Sequence, residues 1–114
     1  MLEQERIQNV YEEMKKQGVR QMIISDPSSV NYLIGKRINP GERMMALLLD
    51  ADTDSTVFVL SKLFPQESDL GCPILFFDDT DDPVSLLANR IPETSAVGVD
   101  KEWQARFLLR LMEL

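Results

Sequence analysis

The side chains with chemistry to offer are defined first by an absence: the chain has no histidine. Without imidazole there is no Ser-His-Asp or Cys-His nucleophile, no His-rich zinc site and no ordinary proton shuttle. Carboxylates come next. Asp50, Asp52 and Asp54 have the x, x+2, x+4 spacing that opens a calcium loop. Ser55 stands where that loop needs glycine and Ser61 where it needs a bidentate Glu, so the segment reads as a solvated hairpin turn. Asp78, Asp79, Asp81 and Asp82 follow an apolar stretch, and acids at the C-terminal end of a strand can bind a metal or accept a phosphoryl group. With Lys101 they suggest a receiver-type phospho-acceptor domain, but the acidic pair such a domain needs after its first strand is here a lone Asp26. A solvated charge run is the simpler reading. Cys72, the one cysteine, has no base to activate it and reads as a small buried hydrophobe. The five glycines fall in no dinucleotide or phosphate-loop spacing. One constellation remains: Tyr32 within Asn31-Tyr32-Leu33-Ile34-Gly35, followed by Lys36, Arg37 and Arg43. In an acidic chain these cations form a local basic loop that could hold a carboxylate in a cleft. The plainer alternative has Tyr32 and Leu33 packing a short helix onto a sheet while the cations stay in water.

These residues need a scaffold. Ile7, Val10, Tyr11 and Met14 make one apolar stripe, which predicts a helix over 3–17 that stops at Gly18. Arg20 to Ser25 reads as a buried strand. Asp26-Pro27 then caps and opens a short helix that ends at Gly35. After the polar loop from Lys36 to Arg43, the segments Met44–Asp50 and Thr56–Leu60 predict an antiparallel hairpin joined through residues 51–55. A short helix is expected between Ser61 and Leu70, with Pro65 near its start, and a strand from Pro73 to Phe77. Asp82-Pro83 repeats the helix-start signal for a helix from Val84 to about Arg90. Ala96 to Val99 predicts a last strand, and Asp100 is expected to cap a final helix with Trp103, Phe107, Leu108 and Leu111 inward. A meander followed by alternating helices and strands predicts an α/β sandwich with a mixed sheet.

At 114 residues the chain is expected to form one domain with a sizeable core. Its 44% apolar and 27% charged residues fit a soluble globular protein. A net charge of −7 argues against nucleic acid or an anionic membrane as partner. Apolar runs fall short of the ~20 residues of a membrane span. The start, Met1-Leu2-Glu3-Gln4-Glu5-Arg6, is too charged for a signal peptide, and a single cysteine allows no internal disulfide, so a cytoplasmic location is expected. Phe107 to Leu114 is too apolar for an unsupported tail. That predicts either a natural chain continuing past Leu114, or a helix buried deeply or packed on a dimer partner.

Several of these segments in order carry a family resemblance. Gly18-Val19 and the strand after it, Ser25-Asp26-Pro27, Asn31-Tyr32-Leu33-Ile34-Gly35, Arg43 leading into Met44–Asp50, and Val97-Gly98-Val99-Asp100 together resemble the N-terminal domain of the creatinase, prolidase and aminopeptidase P family. Ile34 stands where many relatives have a small hydroxylated residue, and Lys36 where many have an aromatic. The resemblance implies a ribonuclease H-like α/β fold: a mixed five-stranded sheet, its first three strands antiparallel, flanked by helices. It also implies that residues 1–114 are one domain and that the catalytic "pita-bread" domain is absent from this chain. In the family that domain holds two divalent metal ions, manganese or cobalt, on two Asp, one His and two Glu, and a bridging water attacks the peptide bond before proline. Creatinase itself is a metal-free member. No catalytic or metal-binding residue is therefore expected here. The implied role is that of the non-catalytic N-terminal domain of an Xaa-Pro dipeptidase or aminopeptidase, in dimerisation and in covering the active-site mouth. Its partners would be its own C-terminal domain, a second copy, and short proline-containing peptides. Tyr32, Lys36, Arg37 and Arg43 are expected near that mouth, selecting substrates that carry a carboxylate. A different class stays open from the residues alone: a stand-alone α/β binding or regulatory module without enzymatic activity.

Overall fold

The first helix forms because its apolar residues share one face. Ile7, Tyr11 and Met14 are buried along α1 (Gln4–Gln17). Gly18 ends it at φ 73°, a left-handed position that costs glycine nothing, and the Val19 N–H reaches back to the Met14 carbonyl at 2.9 Å. The chain is a computed structural model that describes residues 2–64, 70–92, 96–100 and 103–114. After α1 come β1 (Gln21–Ile24), α2 (Pro27–Ile34), β2 (Ala46–Asp50), β3 (Ser55–Ser61), β4 (Ile74–Phe77), α3 (Pro83–Ala88), β5 (Val97–Val99) and α4 (Ala105–Glu113). Both Asp-Pro signals act as predicted. The Asp26 carboxylate accepts from the Ser29 N–H at 3.2 Å and the Asp82 carboxylate from the Ser85 N–H at 3.3 Å, with proline in the first turn of each helix.

The sheet order is β4-β3-β2-β1-β5. β2 runs antiparallel to β1 (Met22 opposite Leu49) and to β3 (Leu47 opposite Phe58). The outer pairs, β3 with β4 and β1 with β5, are parallel. The three leading strands thus pair antiparallel, neighbour with neighbour. Two successive reversals return the chain to its first direction, so β1 and β3 run the same way on either side of β2.

Side chains of β2 alternate between two cores. Leu47 and Leu49 face Ile7, Tyr11, Val30, Leu33 and Phe58, under α1 and α2. Ala46 and Leu48 face Ile23, Val59, Phe77, Val84, Leu87 and Trp103, on the side of α3 and α4. A strand covered on both faces reads as a continuous apolar run, which is why Met44 to Leu49 shows no polar alternation.

Several boundaries differ from the sequence-based expectations. The hairpin connection is residues 51–54, because Ser55 already pairs with Asp50; Asp54 sits at φ 50°. β2 starts at Ala46, with Met44 and Met45 buried ahead of the ladder. α3 ends at Ala88, two residues short of Arg90. Residues 61–64 finish β3 and turn; the rest of the helix expected up to Leu70, Pro65 included, lies outside the described residues apart from Leu70 itself. Lys101 lies outside them too. Gln104, not Asp100, occupies the N-cap of α4. That helix turns Phe107, Leu108 and Leu111 toward the second core and leaves Leu109 and Met112 60% and 74% exposed. Deep burial of this last segment is thus not seen. Among the described residues no helix is long and apolar enough to cross a membrane.

Candidate functional site

The loop between α2 and β2 carries the predicted basic residues. Gly35 (φ 71°) turns the chain out of α2, and buried Ile38 pins the loop's middle to the first core. The Arg43 N–H closes a turn onto the Pro40 carbonyl at 3.2 Å, with Gly41 at φ 64°.

The four singled-out residues point to different neighbours. Arg43 makes a two-point contact with Asp79: Nε to Oδ1 and Nη2 to Oδ2, both 3.1 Å. That geometry matches the planar fork of guanidinium to the two oxygens of a carboxylate. It holds the Asp79 carboxyl below the usual carboxylate range and raises the Arg43 pKa. Arg43 lines a cleft of about 270 Å³ with Ser25, Pro40, Met45, Trp103 and Phe107. Arg37 folds back on α2, its Nη1 donating to Ser28 Oγ at 3.0 Å. Lys36 is exposed. Tyr32 is 56% exposed on the side of α1, and lines a separate groove of about 320 Å³ with Val10, Met14 and Met22. The Arg6 guanidinium lies 4.4 Å from the Tyr32 ring centroid, and its Nη1 donates to the Tyr32 carbonyl at 2.8 Å. Leu33 packs α2 onto the sheet while Tyr32 does not. Tyr32 and Arg43 thus line different depressions, with Arg37 and Lys36 along the chain between them.

The acidic run after β4 is a set of turns, caps and ion pairs. The Asp78 carboxylate accepts from the Thr80 hydroxyl and N–H, which together with nearby Lys62 lower its pKa. Asp81 accepts from the Asp78 N–H at 2.9 Å. Asp82 takes the Ser85 hydroxyl and then Arg110, which lower its pKa in that order. The hairpin acids behave alike: Asp50 accepts from the Asp52 N–H at 3.0 Å and Asp54 pairs with Lys15 at 3.0 Å. Among the described residues no group of three or more His, Cys, Asp or Glu side chains is placed to hold a metal ion. The described side chains therefore offer no fit to a metal centre.

Asp100 is the polar residue whose place the sequence reading missed. Its backbone N–H continues the β1–β5 ladder to the Ile23 carbonyl at 3.1 Å. That position carries its carboxylate across to the β1–α2 junction. There it accepts from the Ser25 N–H at 2.7 Å, the Asp26 N–H at 2.8 Å and the Ser25 hydroxyl at 3.1 Å. Those N–H groups lie just ahead of a helix, where backbone donors lack intrahelical partners. The sequence signal was present in two pieces, Ser25-Asp26-Pro27 and Val97-Gly98-Val99-Asp100, but the parallel register that joins them was not.

The arrangement defines an α/β domain with helices on both faces of a mixed sheet and a basic loop at one end. The sequence matches the family model for the creatinase/prolidase N-terminal domain over residues 6–114. The chain belongs to that family. Among solved structures it is similar to the dipeptidase PepE from Mycobacterium ulcerans, at 28% identity and a TM-score of 0.81, covering 96% of this chain and 31% of that one. The N-terminal domain of an X-Pro dipeptidase from Streptococcus pyogenes aligns at 20% identity and a TM-score of 0.80, covering 95% of this chain and 86% of that one. A recombinant prolidase from Thermococcus sibiricus aligns at 19% identity and a TM-score of 0.85, covering 99% and 32%. The chain thus spans about a third of the length of the Mycobacterium and Thermococcus structures and most of the Streptococcus one. No curated protein matches it.

Proposed function

We propose that this chain serves as the non-catalytic N-terminal domain of a cytoplasmic peptidase of the Xaa-Pro dipeptidase (prolidase) or aminopeptidase type, which cleaves the peptide bond before proline. The family match over residues 6–114 carries this reading. A ribonuclease H-like fold is part of this reading. The two divalent metal ions of the parent enzyme, manganese or cobalt, belong to a C-terminal domain outside residues 1–114. The domain's own work is to pair two subunits and to cover the active-site mouth, where Tyr32, Lys36, Arg37 and Arg43 lie along the rim. The guanidinium donors of Arg43 that Asp79 does not take, at the edge of a cleft, suit the carboxylate end of a short peptide.

The test is an assay of this chain joined to its C-terminal domain, with manganese, on Xaa-Pro dipeptides and on longer peptides. The joined protein is expected to cleave and residues 1–114 alone to be inert. Arg37→Ala with Arg43→Ala is expected to raise KM for dipeptides about tenfold, the size of one lost charge-assisted contact, with kcat little changed. Hydrolysis by residues 1–114 unaided would overturn the non-catalytic reading, and unchanged kinetics in the double variant would remove the loop from substrate recognition.

A further inference from the structure

Three residues far away in sequence converge on the C-terminal half of the basic loop. The Gln104 side chain donates from Nε2 to the Gly41 carbonyl at 3.2 Å. The Arg106 guanidinium donates to the next carbonyl, that of Glu42. Arg106 is itself held on two sides: its Nε donates to Gln104 Oε1 at 3.1 Å, and its guanidinium lies 4.6 Å from the Phe107 ring centroid. Asp79, from the turn after β4, grips Arg43 at both ends of its fork. Two successive loop carbonyls and the following guanidinium are therefore fixed from outside the loop. Two of those contacts come from the first turn of α4 and one from the β4–α3 turn. α4 is tied to the same turn at its other end, where Arg110 pairs with Asp82 at 2.9 Å.

We propose that Gln104, Arg106 and Asp79 are positioning residues for Arg43, with α4 acting as a strut that sets where the 41–43 segment projects. Gln104 and Arg106 supply donors to carbonyls that no strand ladder pairs. Pre-orienting a loop lowers the entropy that binding must otherwise overcome. Displacing α4 would therefore be felt at Arg43. The consequence for peptides rests on the proposed role of Arg43 in carboxylate recognition; the strut itself does not.

The experiment separates the two. In residues 1–114, exchange of the Arg43 Nε–H and of the Arg43 backbone N–H is followed by NMR, with the Leu48 N–H of β2 as internal control. Solved chains only slightly longer than this one, such as the Streptococcus pyogenes N-terminal domain, show that the fold stands by itself. Gln104→Ala with Arg106→Ala, and separately Asp79→Asn, are expected to speed exchange at Arg43 about tenfold or more while Leu48 stays within twofold of the parent. Unchanged exchange at Arg43 in both variants overturns the proposal. So does equal acceleration at Leu48, which would mean general loosening of the fold. In the joined peptidase, the Gln104→Ala, Arg106→Ala variant is expected to raise KM for dipeptides with kcat kept. Faster loop exchange without that KM change leaves the strut standing and refutes the substrate role of Arg43.

Discussion

Replacing Asp100 with alanine tests the join between the two ends of the domain. The carboxylate accepts three hydrogen bonds, from the Ser25 N–H, the Asp26 N–H and the Ser25 hydroxyl, at 2.7, 2.8 and 3.1 Å. Bonds to a charged acceptor contribute about 1.5–3 kcal/mol each, and an orphaned buried donor costs about 1–3 kcal/mol. The three share one carboxylate and the site is only part-buried, so their losses do not add in full. Asp100→Ala is expected to cost about 3 kcal/mol. Asp100→Asn keeps one acceptor oxygen but turns an NH2 toward backbone donors, for a loss of about 2 kcal/mol. Ser25→Ala removes only the hydroxyl bond, for about 1 kcal/mol. With a urea slope of about 1.5 kcal/mol/M, the alanine variant at position 100 shifts the unfolding midpoint down by about 2 M. Urea titrations followed by circular dichroism and by Trp103 fluorescence give the midpoints and test whether one transition describes both signals. A midpoint for Asp100→Ala within about 0.3 M of the parent refutes the reasoning. A smaller loss for Asp100→Ala than for Ser25→Ala does the same.

Three further outcomes follow from other parts of the fold. The Tyr11 hydroxyl bonds the Thr56 hydroxyl within the first core, so Tyr11→Phe is expected to cost about 1–2 kcal/mol by orphaning Thr56; adding Thr56→Val should recover part of that loss in denaturant titrations, and full additivity would contradict the pairing. Asp78, Asp79 and Asp82 titrate below the usual carboxylate range when folded, so their contribution is complete above the unfolded value of about 3.9 and is lost as pH falls through the lower folded values. Stability followed against pH should accordingly fall below about pH 4, and less steeply in Asp79→Asn; parallel curves would show that the Arg43 pair contributes nothing. Gly18→Ala meets no atom within 4 Å at its new Cβ but keeps φ 73°, so its cost is the backbone penalty of about 1–2 kcal/mol, checked by thermal unfolding, and a neutral substitution would contradict that conformation.

Most elements were legible because their signals are local. The stripe Ile7, Tyr11, Met14 and the stop at Gly18 placed α1, and the two Asp-Pro pairs placed the starts of α2 and α3. What the sequence left open is set by pairing across distance. Asp100 has the residue type of a helix cap and a helix does follow it, so local reasoning assigned it forward. The parallel register of β5 with β1 turns it back toward Ser25 instead. The candidate loop shows the same division. Its basic residues stand out in composition, whereas the partners of its C-terminal half, Asp79, Gln104 and Arg106, lie 36 to 64 residues away. The plainer alternative, in which Tyr32 and Leu33 both pack α2 onto the sheet, holds for Leu33 alone, because helix geometry points neighbouring side chains in different directions.

Placing β5 beside β1 has a consequence for synthesis on the ribosome. β1 can zip to β2, and β2 to β3, as soon as residue 61 has emerged, and β4 can follow. One border of β1 then waits, its backbone groups unpaired, until residues 97–99 are made. Over that interval the nascent chain presents a bare strand border made of Gln21, Met22, Ile23 and Ile24, a template on which a neighbouring polypeptide could add itself. Translational pausing before residue 97 would lengthen that exposure, and chaperone occupancy would be needed most there.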